Sequence, residues 1–510
     1  MANNETLSLL CHYTMEVQAA VGVSGLVAHD ATVGSVLVIV GCVPMWAWRV
    51  VIAVVLVAGG PVVIARADPP PSDAAAPGPV APGLNLPGLQ QWIDAVVPRP
   101  VIPAAPTEAA GPTLTGIPAE TAALRAAVLP DDVGDPLFDV WPTALESLAP
   151  GAVVETRDVT PAAAPLLTMP LSAPPRQVLQ LKYRTTDAHG APSFATASLV
   201  LPPTAWTGQG ARPVLVNNLA VDGLGRRCTP SYTLAHGYSE TTNSADFFPP
   251  LTQLALLRGY AVLIPDHEGP NMAYAEPYVA GHAVLDSVRA TRTLLPGELG
   301  DSPYVMAGYS GGAIATRAAA VLIDSYAPDL ADSITGAAVG GVPADFRMLA
   351  QSMNANLASG VFMAAVFGIA RERPEILSRM NNLAQQVTTS PLKNACMNLI
   401  ELPGAVLAPI DIAANTPDPL RSPVAEQVFR ATDMSGLKSA VPLLVYNGVH
   451  DIWIPAAGAE QLMRQQCALG VAGIYRNVPG EHFLAGDTGW PLLIDWLDQR
   501  LRGIPAPDEC

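Results

Sequence analysis

Positive charge is scarce in this chain. Its 510 residues hold 27 Lys and Arg against 44 Asp and Glu, a formal charge of −17, and only 14% of the residues are charged. That balance argues against a nucleic-acid partner, because so few cations cannot readily assemble a phosphate-neutralising face. Binding of a neutral ester does not depend on net charge and stays open. Cysteine is sparse too: there are six, with no C-x-x-C spacing, which argues against a zinc site. No metal or cofactor is expected. What the chain has in quantity is apolar residues, half of the total, and 51 prolines, above the usual share of about 5%.

The prolines are concentrated near the amino terminus. From Met45 the sequence MWAWRVVIAVVLVAGGPVVIARADPPP offers Arg49, an apolar run from Val50 to Ala58 and an Ala65-Arg66-Ala67 cleavage pattern. This is the form of a secretory signal peptide over 45–67, with the mature chain beginning near Asp68. The alternative is an uncleaved membrane anchor, since Val33 to Cys42 is also apolar, but Arg49 interrupts the combined run. Residues 1–44 have no signal character and suggest an over-extended start, with synthesis from Met45. Export removes Cys11 and Cys42 and leaves Cys228, Cys396, Cys467 and Cys510, which allow three pairings in an oxidising compartment. The product is expected to be secreted or associated with the cell envelope. Residues 68–120 are rich in Pro, Ala and Gly and read as an extended linker, in which Leu89 to Val97 forms at most an isolated helical turn.

Strand-like and helix-like segments then alternate. Apolar runs begin near Gln177, Phe194, Pro213, Tyr260, Tyr304, Ile334 and Pro442, several of them continuous enough for strands buried on both faces. Helix-length segments separate them, so the fold class is α/β with a central, mostly parallel sheet. From about Asp345 to Thr432 the alternation fails. Met-, Leu- and Asn-rich helical pieces replace it, which predicts a helical cap over the carboxyl edge of the sheet.

The strongest local signal is Gly308-Tyr309-Ser310-Gly311-Gly312, a G-x-S-x-G pattern preceded by an apolar strand and followed by an alanine-rich helix. A nucleophilic serine on a sharp strand-to-helix turn needs neighbours without bulk, and the turn places the Gly311 amide where it can donate to an oxyanion. Such a serine needs a base, and the base an orienting carboxylate, in the chain order serine, acid, histidine. Two histidines follow Ser310. His482 lies after a strand end, just before the last helix, and is the candidate base. Asp451 ends an apolar strand and is followed by x-x-[IV]-P, which makes it the candidate acid; Asp411 and Asp433 are rivals. His450 reads as a loop neighbour of the acid, and Glu481 adjoins the base without being able to turn back on it. For a second oxyanion donor the candidate is Asp222, after the Pro213 strand, through its backbone amide or a protonated carboxyl, although an exposed turn aspartate suits the pattern as well. His267 and Glu268 are adjacent and would chelate a metal poorly, so they read as a hydrogen-bonded turn.

Beyond these residues, QLKYRTTD, AVDGLGRRCTPSY, GYAVLIPDHEGP, GYSGGAIAT with SYAPDL, VHDIWIP and PGEHF recur in order between about Leu129 and Cys510. In these segments the chain resembles the secretory lipases typified by Candida antarctica lipase A. The resemblance implies an α/β-hydrolase fold over 129–510 and an ester or lipid substrate, with a lipid interface as a further partner. It implies a triad of Ser310, Asp451 and His482, an oxyanion site at Asp222 and Gly311, and disulfides Cys228–Cys396 and Cys467–Cys510. Acyl transfer, short-chain ester hydrolysis and a catalytically silent binding protein remain as alternative functions on the same shell.

Overall fold

Nine strands build the sheet: β1 (Val153–Asp158), β2 (Gln177–Thr186), β3 (Pro192–Leu201), β4 (Val214–Asn218), β5 (Ala261–Pro265), β6 (Tyr304–Tyr309), β7 (Ile334–Gly340), β8 (Leu443–Gly448) and β9 (Gly473–Val478). Their spatial order is β1-β2-β3-β5-β4-β6-β7-β8-β9. The three amino-terminal strands run antiparallel, and the remaining six are parallel to one another. The computed structural model describes residues 87–102, 116–168, 172–239, 241–242 and 251–510. Residues 1–44, the expected signal segment over 45–67, and residues 68–86 and 103–115 of the expected linker lie outside the described residues.

The seven apolar runs become β2 to β8. β4, β5 and β8 are buried at every position, because helices cover both faces of the sheet. Val214 and Val216 of β4 pack on one side with Val284, Val288, Ala315 and Ala319. Leu215 between them points to the other side, with Leu256, Trp496 and Leu497, as the two-residue period of a strand requires. β1 carries no such signal. It is an edge strand, VVETRD, exposed or half-buried throughout, and its charged residues suit an edge that must not pair further. With the cap described next, this is the α/β-hydrolase fold.

Between β7 and β8 the chain leaves the sheet. It forms a succession of short helices from Phe346–Ser352 to Pro423–Ala431, the longest being Ser359–Glu372. Their apolar faces gather Phe362, Phe367, Met353, Met380 and Leu377 around Leu224, Tyr274 and Ile454. Those last three residues follow β4, β5 and β8, so the insertion sits over the carboxyl ends of the parallel strands. The Met and Phe positions form the interior of the cap.

One expectation needs correction. The proline-rich segment is not linker throughout 68–120, because two helices, Leu89–Val96 and Ala119–Val128, are part of the folded body. Ile93 and Gln90 are buried. Asp94 Oδ1 accepts from the Asn382 amide at 2.8 Å, and Asn382 Nδ2 donates to the Val97 carbonyl at 2.9 Å. Leu124 and Val128 belong to the apolar interior of the cap. An eight-residue helix is unstable alone, so its existence depends on that docking surface, which lies nearly 300 residues away in sequence. The disulfides are Cys228–Cys396, which ties the loop after β4 to the cap, and Cys467–Cys510. Among the described residues no helix is long and apolar enough to cross a membrane.

Candidate active site

Ser310 stands between β6 and helix Gly311–Tyr326 with φ 53° and ψ −122°, a conformation that L-residues avoid unless the surroundings impose it. Its amide donates to the Gly340 carbonyl at 2.9 Å, which ties the turn to the end of β7. The serine is thereby raised above the sheet edge at the start of a sixteen-residue helix. The first amides of that helix, Gly311 included, have no carbonyl a turn earlier to receive them.

His482 Nε2 lies 2.9 Å from Ser310 Oγ, and its Nδ1 lies 2.7 Å from Asp451 Oδ2. A carboxylate can only accept, so it selects the tautomer with the proton on Nδ1 and leaves Nε2 free to receive the serine proton. The other oxygen of Asp451 accepts from the amides of Trp453 and Ile454 at 3.0 and 2.8 Å, which locks the carboxylate after β8. His482 opens a short helix of its own, His482–Thr488, rather than sitting in a loop. Glu481 caps that helix through the Phe483 and Leu484 amides and turns away from the base. Two aromatic residues hold the imidazole. The Tyr309 hydroxyl donates to the His482 carbonyl at 2.5 Å, and Trp453 stacks on the ring at 5.5 Å between centroids.

Asp222 is buried, with φ 42°, a left-handed conformation that aspartate tolerates better than most residues. It stands against the serine turn: a Cβ on Gly311 would fall 1.7 Å from Asp222 Oδ1, so only glycine fits there. Oδ1 itself is buried without a hydrogen-bond partner among the described residues. Burial, partly offset by the His482 charge and by the Tyr274 hydroxyl that bonds the carboxyl, pushes Asp222 up to about 6. A carboxyl that keeps its proton this long can act as a donor. The exposed-turn alternative for Asp222 does not describe this residue.

The rival acids lie elsewhere. Asp433 is exposed and closes a turn with Ser435, while Asp411 is buried in the cap segment Ile410–Ala413. His450 is exposed. His267 and Glu268 instead brace the loop that carries Asp222. His267 Nε2 bonds the Leu219 carbonyl at 2.8 Å, and Glu268 Oε1 accepts from the Gly223 amide at 3.4 Å. Burial holds His267 down at about 4, hence neutral, and drives Glu268 well above the usual carboxylate range. Sequence reading missed Tyr274, Tyr309 and Trp453. Trp453 alone had a usable signal, its position two residues after the acid.

Comparison with known proteins gives the family. A profile of the secretory lipases matches residues 245–509. A probable inactive lipase of Mycobacterium tuberculosis is 29% identical over 75% of this chain and 84% of its own length. A trichothecene C-3 esterase of Fusarium sporotrichioides is 30% identical over 71% of this chain and 83% of its own. Among solved structures, Candida antarctica lipase A in its closed state superposes with a TM-score of 0.66 at 25% identity, covering 75% of this chain and 89% of that one.

Proposed function

Since the chain belongs to the secretory lipase family, we propose that it is a secreted serine lipase that hydrolyses carboxylic esters, triacylglycerols among them, through an acyl-enzyme. The single observation that carries this reading is the unbroken hydrogen-bonded series Ser310–His482–Asp451. Ser310 Oγ attacks the ester carbonyl while His482 Nε2 takes its proton. Asp451 stabilises the resulting imidazolium. In this reading the oxyanion is met by the Gly311 amide and by Asp222, through its backbone amide or, while it keeps its proton, its carboxyl. Collapse expels the alcohol, which receives the proton from His482. A water molecule then repeats the sequence on the acyl-enzyme and releases the acid. The apolar cap over the strand ends favours long acyl chains over short soluble esters. The paired cysteines and the expected signal segment favour export.

The name of the mycobacterial relative raises a second reading, a catalytically silent hydrolase shell. The complete triad weighs against it. Hydrolysis of p-nitrophenyl esters from acetate to palmitate, comparing the exported chain with Ser310→Ala, tests both. Turnover that rises with chain length and disappears in the variant is the expected result. Equal rates in the two proteins, or none in either, overturn the serine-lipase reading. An added alcohol acceptor in the same assay distinguishes acyl transfer from hydrolysis.

A further inference from the structure

Arg371 has one of the largest fully buried side chains in the protein, at 0% exposure, and the charge that acts on it most strongly is the buried carboxyl of Glu268, which lowers the cost of its burial. A guanidinium is ordinarily kept out of a protein interior unless it is paired. Here its nitrogens are occupied by backbone carbonyls from separate segments. Nε donates to Val128 at 3.1 Å. Nη1 donates to Leu224 at 2.7 Å and to Asn271 and Met272 at 3.0 Å, and Nη2 to Lys393 at 2.7 Å. Phe367 covers its plane at 4.8 Å. Burial lowers it to about 9, so it remains a cation at neutral pH.

The carbonyls it collects are not scattered at random. Leu224 lies two residues after Asp222. Asn271 and Met272 belong to the loop that supplies Glu268 to the Gly223 amide and the Tyr274 hydroxyl to the Asp222 carboxyl. Lys393 belongs to the cap segment that reaches the same loop a second time, since the Leu224 amide donates to Ala395 at 2.9 Å and Cys396 is bonded to Cys228. The helix that carries Arg371 also passes directly against the backbone of Tyr274 at Gly368. Both loops around Asp222 are therefore gripped from the cap by one side chain.

We infer that Arg371 is a positioning residue for the oxyanion site: from inside the cap it fixes the backbone just after Asp222 and the loop that carries Tyr274, and so sets where Asp222 stands relative to Ser310. This inference rests on the lipase reading above. It makes cap and oxyanion loop one mechanical unit.

The test uses Arg371→Lys, which keeps the charge but reaches fewer carbonyls, and Arg371→Ala with and without added guanidinium. kcat is expressed per serine titrated to completion by a fluorophosphonate, so that loss of folded protein does not count. The expected result for Arg371→Lys is kcat lower by about 10- to 100-fold, part of the effect of losing an oxyanion donor, with KM within about threefold. Affinity for an aryl boronic acid, which mimics the tetrahedral adduct, falls by a similar factor, and guanidinium restores part of the activity of Arg371→Ala. Gly225→Ala is the second variant. A Cβ there would fall 2.5 Å from the Asn394 carbonyl oxygen and would push the loop off the cap without touching Arg371, so the same loss in kcat is expected. Rates per titrated serine within about twofold of wild type, or a change confined to KM, overturn the inference. If neither Arg371 variant folds, Gly225→Ala decides it by the same criterion. Absence of Ser310-dependent turnover in the wild-type protein overturns the lipase reading instead.

Discussion

The sheet and the cap are held together by different means. In the sheet, the ladders of β4 to β9 consist of backbone bonds, which form whatever side chains the strands carry, and the side chains need only be apolar and of the right size. In the cap, helices are short and many of their ends are closed by particular polar side chains. Asn381 Nδ2 donates to the carbonyls of Ile412 and Ala414, its Oδ1 accepts from the Ala384 amide, and Arg371 collects carbonyls from further afield. The cap also leaves Leu402, Val406 and Leu407 exposed. The two regions meet at the active site, and each contributes a different part of it. On the proposed reading nucleophile, base and acid follow β6, β9 and β8, whereas Asp222 stands on a loop that the cap shares. In that reading the residue that stabilises charge stands on a loop tied to the cap by a disulfide and by Arg371, while the acid and base reach the cap through Trp453 and Ile454.

Substitutions that separate the two contributions sharpen that contrast. The largest effect is expected from Asp451→Asn. The geometry survives, but the amide no longer selects the Nδ1-protonated imidazole, so kcat falls by about 10⁴-fold while the melting temperature changes little. Measured kcat and a thermal melt check this on one preparation.

Asp222→Asn comes next and reads the other half of the site. The wild-type carboxyl is a donor below about 6 and an anion above it. The ratio of variant to wild-type kcat is therefore expected to rise with pH through that value, with titration of the base common to both proteins. The folded carboxyl holds its proton up to about 6, whereas the unfolded one releases it near 3.8. Its stabilising contribution is therefore full below 3.8 and is lost as pH rises through 6. Melts across that window should show a shallower alkaline decline in Asp222→Asn. A pH-independent ratio would mean that the carboxyl proton takes no part.

The two disulfides compare the regions directly. Cys228–Cys396 spans 168 residues and Cys467–Cys510 spans 43, so chain entropy assigns them roughly 5 and 4 kcal/mol. Replacing either pair with serine should lower the melting temperature, but only loss of Cys228–Cys396 should also lower kcat per titrated serine. Equal kcat in both double variants would break the proposed coupling between cap and oxyanion loop. The smallest effect is expected at the amino-terminal helix. Asp94→Ala removes a helix-capping acceptor worth about 1 kcal/mol and should shift the melt by a few degrees at most, with kcat unchanged.

Much of the sheet half was legible in the sequence. Strands buried on both faces appear as unbroken apolar runs, and the serine turn appears as glycines at fixed offsets, because both are local requirements of the backbone. Asp451 and His482 follow from chain order and from the strand ends that precede them. β1 was hidden because an exposed edge strand has no apolar face to display. The docked helix Leu89–Val96 was hidden because proline-rich flanks and a short length describe a linker unless a partner surface is present.

By itself, then, the sequence determined the fold class, the serine turn and the two residues most suited to serve it, since each is encoded within a few neighbouring positions. Only the tertiary structure decided that Asp222 is a buried carboxyl poised near pH 6 rather than a turn residue. The same holds for His267 and Glu268, which brace its loop, and for Arg371, which closes a knot of carbonyls from segments more than 200 residues apart. The physical reason is that burial and hydrogen-bond partnership are properties of the assembled surroundings. A residue type at a given position carries no record of which distant backbone will come to meet it.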